Sequence, residues 1–308
     1  MPSIDVPAGT AHYVTGALDP AAAGAQGPVL VALHGAGASH RAFGHMAYSL
    51  GQAWPVIVPD LPGHGRSSPL PGEVTIPALA GWVEDFWTAL CASWGRRPPL
   101  VLLGHSMGGA VAIEYGLTRQ EGLLAPAGLV LVATGGRLRV RPDFLAALAE
   151  GRYPEELLEA VAGLGAAGTG AGPAGAGTGG GAAPAAAGAA EAFAARVVAR
   201  PGGAGVDAPP EVTYRDLLAC DAFDRLADLP RLRVPTLVIQ GDRDLMTPLK
   251  YGQRLAEAIP GARLVVVEEA GHLVHAQRPG PVNRAVRAFL EELAAGLAPD
   301  GTQPGVSG

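Results

Sequence analysis

The chain is poor in several residue types, and each shortage excludes something. Only two cysteines occur among 308 residues, Cys91 and Cys220, in unrelated segments, which argues against a disulfide framework. Cys91 lies within the apolar-patterned WVEDFWTALCASW and reads as a buried small hydrophobe. Lysine is scarcer still: Lys250 stands alone, and every other basic residue is an arginine. With no Lys/Arg-rich run and a net charge of −6, a basic surface for nucleic acid or an anionic membrane is not expected. No apolar run approaches the roughly 20 residues that span a bilayer. The N-terminal MPSIDVPAGT lacks the charged and apolar regions of a signal peptide, so the expected location is cytoplasmic. An HExxH pair is missing and His272-x-x-His275 has no clear third ligand, so no metal site is expected.

What is present is apolar and alternating. At 48% hydrophobic content the chain can bury a sizeable core. Short runs read as strands at 29–34, 55–60, 100–104, 128–134, 236–241 and 263–269, separated by helical patterns near 76–94, 107–119, 248–259 and 281–295. Continuous apolar strands alternating with helices predict a mostly parallel α/β sheet with helices on both faces. The opening IDVPAGTAHYVTG reads as a hairpin turning at Pro7-Ala8-Gly9, an antiparallel edge to that sheet.

The alternation stops after Thr134 and resumes at Pro235. Helical patterns at 142–160, 189–199 and 211–228 fill the gap. The expected division is a core of 1–134 and 221–296, an inserted helical cap of 135–220, and a flexible tail of 297–308. Within the cap, residues 161–190 are Gly or Ala at all but six positions, leaving few large side chains to offset ordering entropy. A G-x-G-x-x-G match at Gly170–Gly175 follows no strand and opens no helix, so no dinucleotide cofactor is expected. No repeat or zipper points to a particular assembly.

One serine stands between glycines where an apolar run meets a helical pattern: Leu100–Gly116 reads LVLLGHSMGGAVAIEYG. Gly104-His105-Ser106-Met107-Gly108 fits G-x-S-x-G. A sharp strand-to-helix turn would expose the serine Oγ at the carboxyl end of a strand and at a helix N-terminus, where free N–H groups favour negative charge. In this context the stretch resembles the nucleophile elbow of the α/β-hydrolases. The esterase/lipase-like branch of that superfamily is similar in three further motifs, in the same order: His34-Gly35-Ala36-Gly37, the turn from Pro59 to Ser67, and Gly241–Pro248 followed by His272.

The resemblance implies an α/β-hydrolase fold with an inserted cap and a triad of Ser106, Asp244 and His272. Asp242 and His275 are the alternatives for acid and base. It implies an oxyanion hole from the N–H groups of Ala36 and Met107, with His34, His105 and the Pro59–Ser67 turn in structural roles. Leu273, after the base, replaces the tryptophan frequent in carbon–carbon bond hydrolases. The expected activity is cleavage of a small or medium carboxylic ester through an acyl-serine, with a small-molecule substrate and no cofactor. Carbon–carbon hydrolysis, or a slow-turnover ligand receptor keeping the triad, are the alternatives. Phe144, Leu145, Tyr153, Phe193 and Tyr214 of the cap, with Leu273, are the candidates for the acyl pocket. Since the base must be neutral, activity should fall on the acid side.

Overall fold

The computed structural model describes residues 2–20, 27–162 and 206–297. The antiparallel hairpin β1 (Ser3–Val6) and β2 (Gly9–Thr15) leads into β3 (Val29–Leu33), β4 (Val56–Pro59), β5 (Leu100–His105), β6 (Gly128–Val132), β7 (Thr236–Gly241) and β8 (Arg263–Val267). They form one sheet in the order β1-β2-β4-β3-β5-β6-β7-β8, antiparallel only at the β1 and β2 pairings. Gly9, at φ +116°, closes the expected hairpin turn.

Strands β3 to β7 are buried along their whole length, as a sheet covered on both faces requires. Their side chains divide by the period of two. Val31, Leu33, Leu102 and Leu131 face a core with α2 (Ile76–Trp94) and α3 (Met107–Thr118). Leu30, Ala32, Leu103 and Val132 face one with α1 (Gly44–Ser49) and the C-terminal helix α9 (Pro279–Leu297). In α2, Thr75 caps the start by accepting the Ala78 N–H, and Gly95, at φ +62°, ends it.

Three expectations shift. RLVVVEE forms β8, but as the sheet's edge it buries only Val267. The pattern at 142–160 is two helices, α4 (Pro142–Ala149) and α5 (Glu155–Ala162), because Gly151 turns left-handed at φ +79° and Pro154 follows. The pattern at 211–228 is helical only as α6 (Pro210–Ala222). Phe223 is extended and Asp224 bridges to Arg137. The sequence reading also passed over α1 and the four-residue α8 (Val274–Gln277); α7 (Leu249–Ala258) lies where expected. The helical pattern at 189–199, the Gly170–Gly175 match, Phe193 and nearly all of the Ala/Gly stretch fall outside the described residues. Among those described, no helix is long and apolar enough to cross a membrane.

Candidate active site

Strand β5 ends at His105, α3 begins at Met107, and Ser106 between them is bent to φ +53°, ψ −116°. Such a conformation costs a non-glycine residue about 1–3 kcal/mol and persists only where its surroundings impose it. The flanking glycines show how. A β-carbon at Gly104 would overlap the Gly108 carbonyl oxygen, and one at Gly108 would overlap the Leu33 carbonyl oxygen. Ser106 itself is fastened by its main chain. Its N–H donates to Val132 O at 3.0 Å, and its carbonyl accepts from Gly109 N at 2.9 Å and Thr134 Oγ1 at 2.8 Å. The hydroxyl is left without a hydrogen-bond partner among the described residues, and the residue is only partly buried.

Strand β7 delivers the acid loop. Asp244 is 4% exposed, and its Oδ1 accepts from the N–H groups of Met246 and Thr247, both at 2.9 Å. Its Oδ2 accepts from Thr247 Oγ1 at 2.7 Å and Gln240 Nε2 at 2.9 Å. His272 Nδ1 approaches the same carboxylate at 3.0 and 3.2 Å. Burial pushes the Asp244 carboxyl up. The His272 charge and the bonds from His272 and Thr247 outweigh it, and the group lies below the usual carboxylate range. With Nδ1–H donated to Asp244, the His272 Nε2 lone pair faces away from the acid.

The alternatives part from this pair. Asp242 is exposed and accepts the Ala270 N–H at 3.2 Å. His275 is buried with neither ring nitrogen hydrogen-bonded, its ring 4.7 Å from Phe43 and 4.5 Å from His105. Burial and the charge of His272 hold it down to about 3; the nearby Ala42 carbonyl pulls the other way without hydrogen-bond geometry. His105, its Nε2 2.9 Å from the His272 carbonyl oxygen, packs under the His272 ring at 4.8 Å.

The loop after β3 lies against the elbow: a β-carbon on Gly35 would sit 3.2 Å from Ser106 Cβ. His34 braces it. Fully buried, the ring donates from Nδ1 to Gly35 O at 2.9 Å and accepts the Leu61 N–H on Nε2 at 3.0 Å. That second bond requires a neutral ring, and burial with the charge of His64 takes its pKa down to about 3. The N–H groups of Ala36 and Met107 make no hydrogen bond among the described residues. The turn from Pro59 to Ser67 is tied inward: Asp60 accepts from His40 N at 2.9 Å and Ser67 Oγ from His12 N at 2.9 Å.

Over this loop lies the insertion. Phe144, Leu148, Leu157 and Leu217 form their own apolar cluster, against which Leu145, Tyr153 and Tyr214 pack together with Ala36 and Met246. The Tyr153 hydroxyl bonds Ala208 O and Thr213 Oγ1, both at 2.6 Å. Leu273 is buried at the start of α8. Sequence reasoning passed over Gln240, Thr247 and Asp216. Gln240, the one polar side chain inside TLVIQG apart from its first residue, was a visible signal; Asp216 gave none. Among the described residues no His, Cys, Asp and Glu cluster could hold a metal.

Comparison with known proteins agrees with the fold. The model of the alpha/beta hydrolase family matches residues 30–285. Polyketide synthase ThaQ of Burkholderia thailandensis is 32% identical over 270 residues, a match covering 87% of this chain but 12% of the synthase. A pimeloyl-(acyl-carrier protein) methyl ester esterase of Neisseria meningitidis is 28% identical over 280 residues, covering 87% of this chain and 80% of its own. A solved thermophilic esterase superposes at TM-score 0.69 with 27% identity, over 95% of this chain and 97% of that one. At 22% identity, an enol-lactonase from Burkholderia xenovorans shares the fold at TM-score 0.71, over 94% and 100% of the two chains. The chain belongs to the alpha/beta hydrolase family and is a hydrolase of its α/β fold.

Proposed function

We propose that the chain hydrolyses a small or medium carboxylic ester through an acyl-serine at Ser106. The observation that carries the reading is the His272–Asp244 pair, held beyond the carboxyl ends of β7 and β8 as Ser106, forced out of ordinary backbone geometry, is beyond that of β5. In this mechanism His272 Nε2 takes the Ser106 proton as Oγ attacks the ester carbonyl. Negative charge gathers on the former carbonyl oxygen, and the N–H groups of Ala36 and Met107 receive it. The imidazolium then protonates the departing alkoxide. Water, deprotonated by the same base, releases the acid. Asp244 fixes the tautomer and stabilises the imidazolium; its own lowered pKa keeps it a carboxylate throughout.

The helices between β6 and β7 serve as a cap in this reading, and their cluster, which includes Phe144, Leu145, Tyr153 and Tyr214, forms the acyl side of the pocket with Leu273. The names of the relatives support ester chemistry on a small molecule. Turnover of p-nitrophenyl acetate, butyrate and octanoate, beside Ser106→Ala, tests it. The wild type is expected to turn over repeatedly, with Ser106→Ala down by at least about 10³-fold. Equal activity in the two proteins would refute the assignment.

A further inference from the structure

The loop that carries Ala36 is held from outside the sheet. Gly37 sits at φ +67°, with the Thr213 side chain of α6 where its β-carbon would be. Its carbonyl accepts the N–H groups of Asp207 and Ala208 at 2.7 and 2.9 Å, and its own N–H donates to Asp216 Oδ2 at 2.8 Å. That carboxylate reaches down from the middle of α6 and is 2% exposed. The same oxygen receives His64 Nε2 at 2.9 Å, while His64 Nδ1 faces Pro62 O at 3.1 Å.

The geometry of His64 decides its charge. Both ring nitrogens look at oxygen acceptors, and only the doubly protonated ring satisfies both. Burial pushes its pKa down, but the charge of Asp216 and the bonds to Asp216 and Pro62 outweigh it, leaving it raised. His34, 4.8 Å away ring to ring, is the opposite case, since its unprotonated Nε2 must accept the hydrogen bond from Leu61 N–H. A buried ion pair is a poor source of stability, because an apolar pair of similar volume often does as well. What an apolar side chain could not do is accept the Gly37 N–H.

We infer that Asp216 is a positioning residue for the oxyanion loop: by holding the Gly37 peptide it orients the adjoining Ala36 peptide toward Ser106, so that transition-state stabilisation depends on how α6 is seated. The inference rests on the catalytic reading of Ser106 and Ala36 above. It makes the insertion part of the catalytic framework as well as a cover.

The test compares Asp216→Ala, Asp216→Glu and Asp216→Asn in the full chain, with active sites counted by endpoint labelling with a fluorophosphonate. Per active site, Asp216→Ala is expected to lose about tenfold in kcat while KM stays within about twofold. A trifluoromethyl ketone, whose serine adduct carries the oxyanion, should bind weaker by about the same factor. Asp216→Glu keeps the charge but moves the acceptor by one methylene, and should show the same split to a smaller degree, about threefold. Asp216→Asn retains an oxygen for Gly37 and should stay within about threefold of wild type. Unchanged kcat and ketone affinity in Ala, or in Glu if Ala does not fold, would overturn the inference; so would Asn as impaired as Ala. Ser106→Ala run alongside separates the two levels. If wild type shows no Ser106-dependent turnover, the catalytic reading fails and takes this inference with it. If it does, the Asp216 series bears on the positioning role alone.

Discussion

Asp244 accepts hydrogen bonds from Met246, Thr247, Gln240 and His272, so its carboxylate has no freedom to turn away from the imidazole. An amide at this place would present an N–H to the ring and favour the wrong tautomer. Asp244→Asn is therefore expected to lower kcat by about 10²- to 10⁴-fold with little change in KM, as read by steady-state kinetics. A loss below threefold would mean that Asp244 does not orient the base. At this scale much was legible. The tight turn at Ser106 and the pairing of Asp244 with His272 were readable from motif spacing, because a sharp turn and a loop-borne acid leave glycine and proline marks in the chain. The partners that hold them did not. Gln240 and Thr247 act through contacts four and three residues from Asp244, and Asp216 reaches Gly37 across 179 positions. Nothing local to Asp216 distinguishes it from the exposed acids of any helix.

The elbow is an element whose sequence is dictated by backbone contact. Because the overlap at Gly104 is with main chain, no side chain can rotate aside. Gly104→Ala is expected to lower the unfolding free energy by at least about 2 kcal/mol in urea titration. Gly81, inside α2 with open space around its missing β-carbon, is the counter-case. There alanine should stabilise by about 0.5–1 kcal/mol, since it only removes the helix penalty of glycine. Equal effects at the two sites would contradict the packing account. Helices α2, α3, α7 and α9 were readable because they are long enough to repeat a pattern. The four residues of α8 and six of α1 are not, and their place is set by packing against α9, β4 and the neighbouring turns. The split of α4 from α5 was legible in Gly151 and Pro154, whose local preferences the apolar periodicity on either side obscured.

Across the whole molecule, buried histidines link stability to pH. His34 and His275 are held down to about 3 and His105 well below its usual value, each first by burial. A group whose pKa is lower folded than unfolded gives stability that is complete above the unfolded value, about 6.5, and is lost as pH falls toward the folded one. His34 and His275 should each cost about 2 kcal/mol by pH 5, at roughly 1.4 kcal/mol per pH unit, and His105 acts in the same direction. His64 has the opposite sign, its contribution being present in acid and lost as pH rises through its raised value. Three against one, the chain should lose stability between pH 7.5 and 5. His275→Phe, replacing an unbonded ring among the rings of Phe43 and His105, should lose about 2 kcal/mol less over that interval. Equal pH dependence in the two proteins, by chemical unfolding, would show that His275 takes up no proton on unfolding. The parallel sheet and its hairpin edge were legible from uninterrupted aliphatic runs. The seating of α6 on the loop after β3 was not, since it joins residues far apart in the sequence, Gly37 to Asp207, Ala208 and Asp216, through a few polar contacts.

The proposed ester hydrolysis turns on Ser106 carrying the acyl group. Its most direct measurement is peptide mass mapping of the protein quenched in acid during turnover of p-nitrophenyl acetate, with Asp244→Asn included to slow deacylation. The account predicts one acetyl group, confined to the peptide containing Ser106 and absent from Ser106→Ala. Turnover with that peptide unmodified in both proteins, or an acetyl group on another residue that disappears as turnover proceeds, would contradict it.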